Sequence, residues 1–199
     1  MKTCKILAGP NGSGKSAYFR YACDHAFITE NDGPYLCGDD AAVQLKQLGA
    51  DLDEDSLNRE AHEVILKKRV EFMNQGISFV YETVCSHPSH LDFFKELKRK
   101  GYTLSLVYIA TDNSDINVSR VAKRVKDGGH NVPIEKIKAR YNRCLQLYPQ
   151  LFKMCDEALI FDNSSTTLQL CLKKTPDGKI EIYSQAHNWA LENTLPRNK

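Results

Sequence analysis

The 199-residue sequence contains no Cys-x-x-Cys pair, no apolar run of membrane-spanning length, no internal repeat and no low-complexity tract. Its seven cysteines are scattered and odd in number, which suggests neither a disulfide framework nor a zinc site and fits reduced thiols in a cytoplasm. Met1, Lys2 and Thr3 run directly into a short apolar stretch and a glycine loop, so neither a signal peptide nor a membrane anchor is expected. Charge of one sign is lacking too. With 27 Lys and Arg against 25 Asp and Glu, the net charge is +2, far from the excess of a dedicated nucleic-acid binder. The basic cluster Lys95, Lys98, Arg99 and Lys100 reads as the solvated face of a helix. Also absent are an Asn-Lys-x-Asp segment that reads guanine and the Leu-Ser-Gly-Gly signature of transporter ATPases.

What is present is an alternation of strands and helices. Thr3 to Ala8 reads as a strand, the following glycines as a loop and Lys15 to about Ala26 as a helix. A short strand at Tyr35 to Gly38 and two helices follow, the longer from about Asp55 to Asn74 and stopped by Gly76. Ile77 to Tyr81 reads as the third strand, Pro88 to Lys100 as a helix, and Thr103 to Ala110 as a fourth strand too apolar for an exposed hairpin. Helices at Asp115 to Lys126 and Pro133 to Leu147 precede a fifth strand, Ala158 to Phe161. Near the end, Thr175-Pro176-Asp177-Gly178 between two apolar runs signals a hairpin, and the chain past Leu191 reads as frayed. This pattern predicts an α/β fold with a mostly parallel sheet flanked by helices. One domain is expected over residues 1–199, with a helical lid at about 112–147 and a C-terminal β-hairpin at about 166–185.

Gly9-Pro10-Asn11-Gly12-Ser13-Gly14-Lys15-Ser16 fits G-x-x-x-x-G-K-[ST] between a strand and a helix. In that context glycines let successive backbone N–H groups curl around phosphate oxygens, and the helix adds the positive end of its dipole. Lys15 is expected to reach the β- and γ-phosphates, and Ser16 to ligate Mg²⁺. The nucleotide-binding stretch is taken as Gly9 through Ser16 with Ala17 next. ATP or GTP with Mg²⁺ is the implied cofactor pair, because GTPases, ATPases and kinases share this cradle.

In open parallel sheets the ligand lies beyond the C-terminal strand ends, so polar residues there are candidates for chemistry. Asp39 and Asp40 follow the second strand, Glu82 and Thr83 the third, and Asp162 the fifth. A kinase needs a carboxylate to take or orient the acceptor's hydroxyl proton. Asp39 and Asp40 fit that need or the capping of the next helix. Asp162 fits a metal-binding carboxylate or, beside Asn163 and Ser164, an ordinary turn. Glu82 and Thr83 are read as polar contacts to the acceptor.

Arg120 and Arg124 lie four residues apart on one predicted helix face, with Val118, Val121 and Val125 on the other. Beyond Gly128 and Gly129 the next helix carries Arg140 and Arg143. A glycine hinge between two arginine-bearing helices would let a lid bring guanidinium groups onto a phosphoryl group in transfer. The candidate catalytic residues are therefore Lys15, one of the Asp39 and Asp40 pair, Arg120, Arg124 and Arg140. His130, in the hinge, either contacts phosphate or sugar on closure or is an exposed loop histidine.

Taken together, Gly9 to Ser16, Tyr81-Glu82-Thr83 and the run from Arg124 to Pro133 continuing to Arg140-Tyr141 resemble the zeta-toxin family of P-loop kinases. The resemblance spans roughly Lys5 to Ser164 and is to the short, stand-alone branch of that family. Cys37-Gly38-Asp39 takes the place of an Asn-Ala-Asp-like motif, which implies the general-base role for Asp39. Cys37 stands where Asn is usual, and Ala17 where Thr is common. The resemblance implies an ATP- or GTP-dependent kinase; characterised members phosphorylate the 3′-hydroxyl of UDP-N-acetylglucosamine, and an antitoxin protein is the partner it suggests. Three functions stay open on the residues alone: a zeta-type small-molecule kinase, a P-loop kinase for another acceptor such as a nucleoside or a nucleic-acid end, and a nucleotide-binding switch.

Overall fold

The computed structural model describes residues 1–183 and 188–191. Its centre is a seven-stranded sheet of order β2-β3-β1-β4-β5-β6-β7. The strands are β1 (Lys2–Ala8), β2 (Tyr35–Leu36), β3 (Phe79–Thr83), β4 (Tyr102–Ala110), β5 (Glu157–Asp162), β6 (Gln169–Lys174) and β7 (Ile180–Ile182). The first five in the order pair in parallel and the last two antiparallel. The expected C-terminal hairpin thus extends the sheet at one edge.

β1 shows why the strands must alternate with helices. Leu7 points to one face, where it packs with Ile109 against Tyr18 and Ala22 of α1 (Lys15–Asp24). Cys4, Ile6 and Ala8 point to the other, into the main core. A strand buried on both faces needs cover on both. On the main-core side the cover comes from α3 (Glu54–Gln75), α4 (Ser89–Arg99) and α6 (Ile134–Met154), with α2 (Gly38–Gln47) beside α3. Leu91, Phe94 and Leu97 of α4 are 3% exposed or less, and each such burial contributes about 2 kcal/mol. α5 (Ser114–Lys126) packs Val121 against Ile137 of α6, and a short α7 (Asn188–Leu191) sets Trp189 beside Tyr148. No helix among the described residues is long and apolar enough to cross a membrane.

Three boundaries differ from the sequence reading. β3 begins two residues later than predicted and runs through Thr83, because Ile77 is held in the exit turn of α3. There its N–H bonds the Phe72 carbonyl at 3.0 Å and its own carbonyl accepts from Tyr102 Oη at 2.8 Å. Glu82 and Thr83 therefore sit inside the ladder, paired with Leu7 and Ala8. β2 is cut short at Leu36, and α2 starts at Gly38, so Asp39 and Asp40 occupy its first turn, where the helix dipole favours acids. α6 continues past the predicted stop at Leu147 and through Pro149. Tyr148, Leu151 and Phe152 are each 1% exposed or less, and their packing outweighs the one hydrogen bond that a proline removes. The expectation for the chain past Leu191 falls outside the described residues.

Candidate active site

Between β1 and α1 the glycine loop adopts conformations that side chains would forbid. Gly9 has φ +145°, and an added Cβ would lie 2.0 Å from the Ile109 carbonyl oxygen; at Gly14, φ is +102° and the clash is with Asn163 Nδ2 at 2.5 Å. Both positions need glycine, for backbone reasons and for close approach. No side chain caps α1 and its first turn has no acid, so its leading N–H groups are left for an anion. Lys15 is 7% exposed and donates from Nζ to the Pro10 carbonyl at 3.0 Å, folding its charge over the loop. The buried Ser13 hydroxyl has no hydrogen-bond partner among the described residues. These features fit a nucleotide's phosphate chain.

Two asparagines brace this loop, and sequence reasoning missed both. Asn117 on α5 is fully buried and donates to the Asn11 carbonyl at 2.6 Å, while Asn163 donates to the Ser13 carbonyl at 2.8 Å. Only the position of Asn163 just past a strand hinted at it. Its neighbour Asp162 accepts from the Ser164 N–H at 2.8 Å, the Ser164 hydroxyl at 2.9 Å and Trp189 Nε1 at 2.9 Å. Of the two readings left open for Asp162, these bonds favour the turn.

Glu82 sits on the P-loop side. Both of its carboxylate oxygens lie 3.3 Å from Ser16 Oγ, and Tyr35 Oη donates to it in a short hydrogen bond. Burial and the Glu82 charge push the Tyr35 phenol well above its ordinary pKa, so it stays a donor. Its ring stacks on Phe19 with centroids 3.6 Å apart. An oxygen pair of this kind, hydroxyl and carboxylate, suits Mg²⁺, and no cluster of three acidic, Cys or His ligands occurs among the described residues. The strand alternation separates Thr83 from Glu82. Thr83 Oγ1 accepts from the Cys85 N–H at 3.0 Å and lies 3.4 Å from His90 Nδ1, on the α3 and α4 side.

Asp39 stands at the start of α2, with Arg124 Nη1 3.9 Å from its Oδ2. Arg124 also donates from Nη2 to the His130 carbonyl at 2.8 Å, and its buried Nε has no partner among the described residues. Burial and the charges of Glu82 and Asp39 raise the Cys37 thiol to about 11, which locates both carboxylates around the same strand end. Asp40 has its carboxyl raised by burial and by Asp39.

The arginines of the helical hairpin diverge. Arg120 turns to the Ser165 carbonyl at 3.1 Å, Arg140 to Asn11 Oδ1 at 3.4 Å and Arg143 to the Ser86 carbonyl at 3.1 Å. His130 Nδ1 lies 2.8 Å from Glu54 Oε1, which pins the hinge to the start of α3. Ala17 faces solvent.

The zeta toxin family model matches residues 44–184 of the chain, a stretch that holds Glu82, Thr83, the arginines and His130. The chain belongs to the zeta toxin family. An uncharacterized protein of Haemophilus influenzae is 30% identical over 140 residues, 68% of this chain and 90% of that one. A crystal structure of AvrRxo1-ORF1:-ORF2 with ATP superimposes with TM-score 0.74 at 12% identity, covering 100% of this chain and 65% of that chain. The PezAT chromosomal toxin-antitoxin system of Streptococcus pneumoniae gives 0.58 at 16% identity, covering 82% and 68%. The chain therefore spans about 65% of the length of the AvrRxo1 chain it matches. Zeta toxin membership on a P-loop kinase fold supports a nucleotide-dependent kinase-type function. Gly9 to Ser16 and Asp39 precede the matched stretch, so their assignment rests on the loop motif and the geometry above.

Proposed function

We propose that the protein is a phosphotransferase that moves the γ-phosphoryl group of ATP or GTP onto a hydroxyl of a small molecule. One observation carries the reading: the Asp39 carboxylate faces Arg124 at 3.9 Å, beside the strand ends where Glu82 contacts Ser16 of the glycine loop. A kinase needs the acceptor's base and the cation that meets the moving phosphoryl group to be close together. The loop amides and Lys15 hold the phosphates, Ser16 and Glu82 hold Mg²⁺, and Asp39 takes the acceptor's proton. Mg²⁺, when bound, neutralises charge on the phosphate oxygens. Arg124 and Arg140, carried by the lid at about 112–147, meet the charge on the transferring group, and Arg120 lies on the side of the 162–167 loop.

The acceptor proposed is a UDP-linked amino sugar, UDP-N-acetylglucosamine first, on the strength of family membership. An antitoxin partner and a cytoplasmic location belong to the same reading; PezAT is a toxin-antitoxin system. The test incubates purified protein with Mg²⁺, γ-labelled ATP or GTP, and either UDP-N-acetylglucosamine or a metabolite extract, followed by mass spectrometry. Phosphorylated UDP-N-acetylglucosamine is the expected product. Transfer to a nucleoside, another sugar or an oligonucleotide instead would keep the kinase and discard that acceptor.

A further inference from the structure

Trp189, the sole tryptophan of the chain, sits on the short α7. Its ring centroid lies 5.8 Å from that of Tyr148 and 6.1 Å from that of Tyr108, and Tyr148 Oη donates to the Ala190 carbonyl at 3.1 Å. Tyr108, Tyr148 and Ala190 are each 1% exposed or less, so α7 is seated against the main core. A phenylalanine could supply that packing. The indole adds an N–H, which donates to Asp162 Oδ2 at 2.9 Å, and the aspartate is only 1% exposed. A hydrogen bond to a buried carboxylate is among the stronger ones that a side chain makes.

Asp162 ends β5, and the segment that follows touches the phosphate loop. Asp162 also accepts from the Ser164 N–H and hydroxyl, which fixes the turn. Asn163, between them, donates its N–H to the Ala110 carbonyl at 2.8 Å and its Nδ2 to the Ser13 carbonyl at 2.8 Å. The second bond bears on phosphate. The Ser13 C=O and the Gly14 N–H share one peptide plane and point opposite ways in it. Holding the carbonyl toward Asn163 therefore aims the Gly14 amide away from it, at the N-cap of α1, where an anion is favoured. The fit is close, since an added Cβ on Gly14 would stand 2.5 Å from Asn163 Nδ2. The same segment reaches α5 and the residues before it: Ser164 Oγ accepts from the Asp112 N–H at 2.9 Å, and the Ser165 carbonyl accepts from Arg120 at 3.1 Å.

We infer that Trp189 and Asn163 are positioning residues for the nucleotide: α7, through Trp189, Asp162 and Asn163, sets the aim of the Gly14 amide. The inference rests on the nucleotide-binding part of the phosphotransferase reading. Trp189 needs no contact with the nucleotide, because it acts through two hydrogen bonds and the turn between them. An amide held in place before the anion arrives binds it without first losing conformational freedom. Coupling of this kind is reciprocal. If the docked indole favours the phosphate-bound loop, phosphate on the loop must be felt at the indole.

The test uses the full chain and two readouts, binding heat and the emission of Trp189. Mg²⁺–AMP-PNP and Mg²⁺–GMP-PNP are titrated by calorimetry and, in parallel, by tryptophan fluorescence. In wild type the emission should change saturably, with the midpoint of the calorimetric curve. Asn163→Ala should bind nucleotide about tenfold more weakly, the effect of losing one hydrogen bond to the loop, and saturating nucleotide should no longer move its emission. Trp189→Phe keeps a ring against Tyr148 and removes the N–H; its Kd should rise about threefold or more. A purely structural role would lower the melting temperature of that variant and leave its Kd where it is. Wild-type binding heat without an emission change, or an unchanged Kd in Trp189→Phe, would overturn the inference and leave the nucleotide reading standing. Should Trp189→Phe not fold, Asn163→Ala carries the test, and an emission response that persists there would overturn the coupling. No binding heat with either nucleotide would overturn the P-loop reading and the inference with it.

Discussion

Arg124 Nη1 stands 3.9 Å from Asp39 Oδ2, joining the second helical segment to the arginine-bearing hairpin 85 residues further along the chain. In the proposed mechanism the pair sets the acceptor's base against a cation that Gly129 positions: a Cβ there would lie 2.6 Å from Arg124 Cγ. Asp39→Asn should therefore keep nucleotide affinity and lower kcat about 10²- to 10⁴-fold, the range for a positioned base. Asp40→Asn, one residue along in the turn, should change kcat much less. Reversed effects in steady-state kinetics would move the base to Asp40.

Arg124→Ala and Arg140→Ala should lower kcat far more than they weaken nucleotide binding, by about 10²-fold or more, since their charge matters most with the phosphoryl group in flight. Arg120 bonds the Ser165 carbonyl, away from Asp39, and its alanine variant should lose less. Equal losses in affinity and in kcat/KM with kcat untouched would assign these arginines to uniform phosphate binding.

The fold was legible because its signals are local and repeated. Gly9 to Ser16 named the loop, the strand and helix alternation named the parallel sheet, and Thr175 to Gly178 named the hairpin. The candidate site was legible where one motif carries it: Lys15 folds over the loop and Ser16 lies beside Glu82. It was not legible where contacts span the chain. Nothing around Asn117 announces a bond to Asn11, and nothing around Tyr35 announces one to Glu82. The two-residue slip at β3 had a similar origin: Ile77 is apolar enough for a strand, but its hydrogen bonds belong to the turn after α3. That slip placed Glu82 and Thr83 together beyond the strand, whereas the ladder turns them to opposite faces of the sheet.

Glu82 is held by Ser16 and Tyr35, which supports the Mg²⁺ role proposed for it over an acceptor contact. Glu82→Gln should raise the Mg²⁺ concentration needed for half-maximal transfer about tenfold or more, with a smaller change in acceptor KM. Tyr35→Phe should shift the same Mg²⁺ curve in a milder way, because it frees the carboxylate without removing it. A change confined to acceptor KM in both variants would return Glu82 to the acceptor side.

The last prediction concerns stability and follows from His90. In the folded protein burial, Arg69, His62 and His87 hold its imidazole at about 4, while an unfolded histidine titrates near 6.5. Between those values the unfolded chain binds a proton that the folded chain refuses, so unfolding becomes easier as pH falls through the window. The contribution is absent above about pH 7 and reaches about 2 kcal/mol of lost stability at pH 5. His62, also lowered by burial and by Arg69 and Arg140, acts in the same direction. Carboxylates that are lowered in the folded state, such as Asp156 beside Lys98, lose their stabilisation only at more acidic pH, which leaves the range from pH 7 to 5 to the histidines. Urea unfolding of wild type and His90→Gln at pH 7 and pH 5 checks this. The variant should lose less stability than wild type on going to pH 5, and identical losses in the two proteins would mean that His90 protonates freely in the folded state.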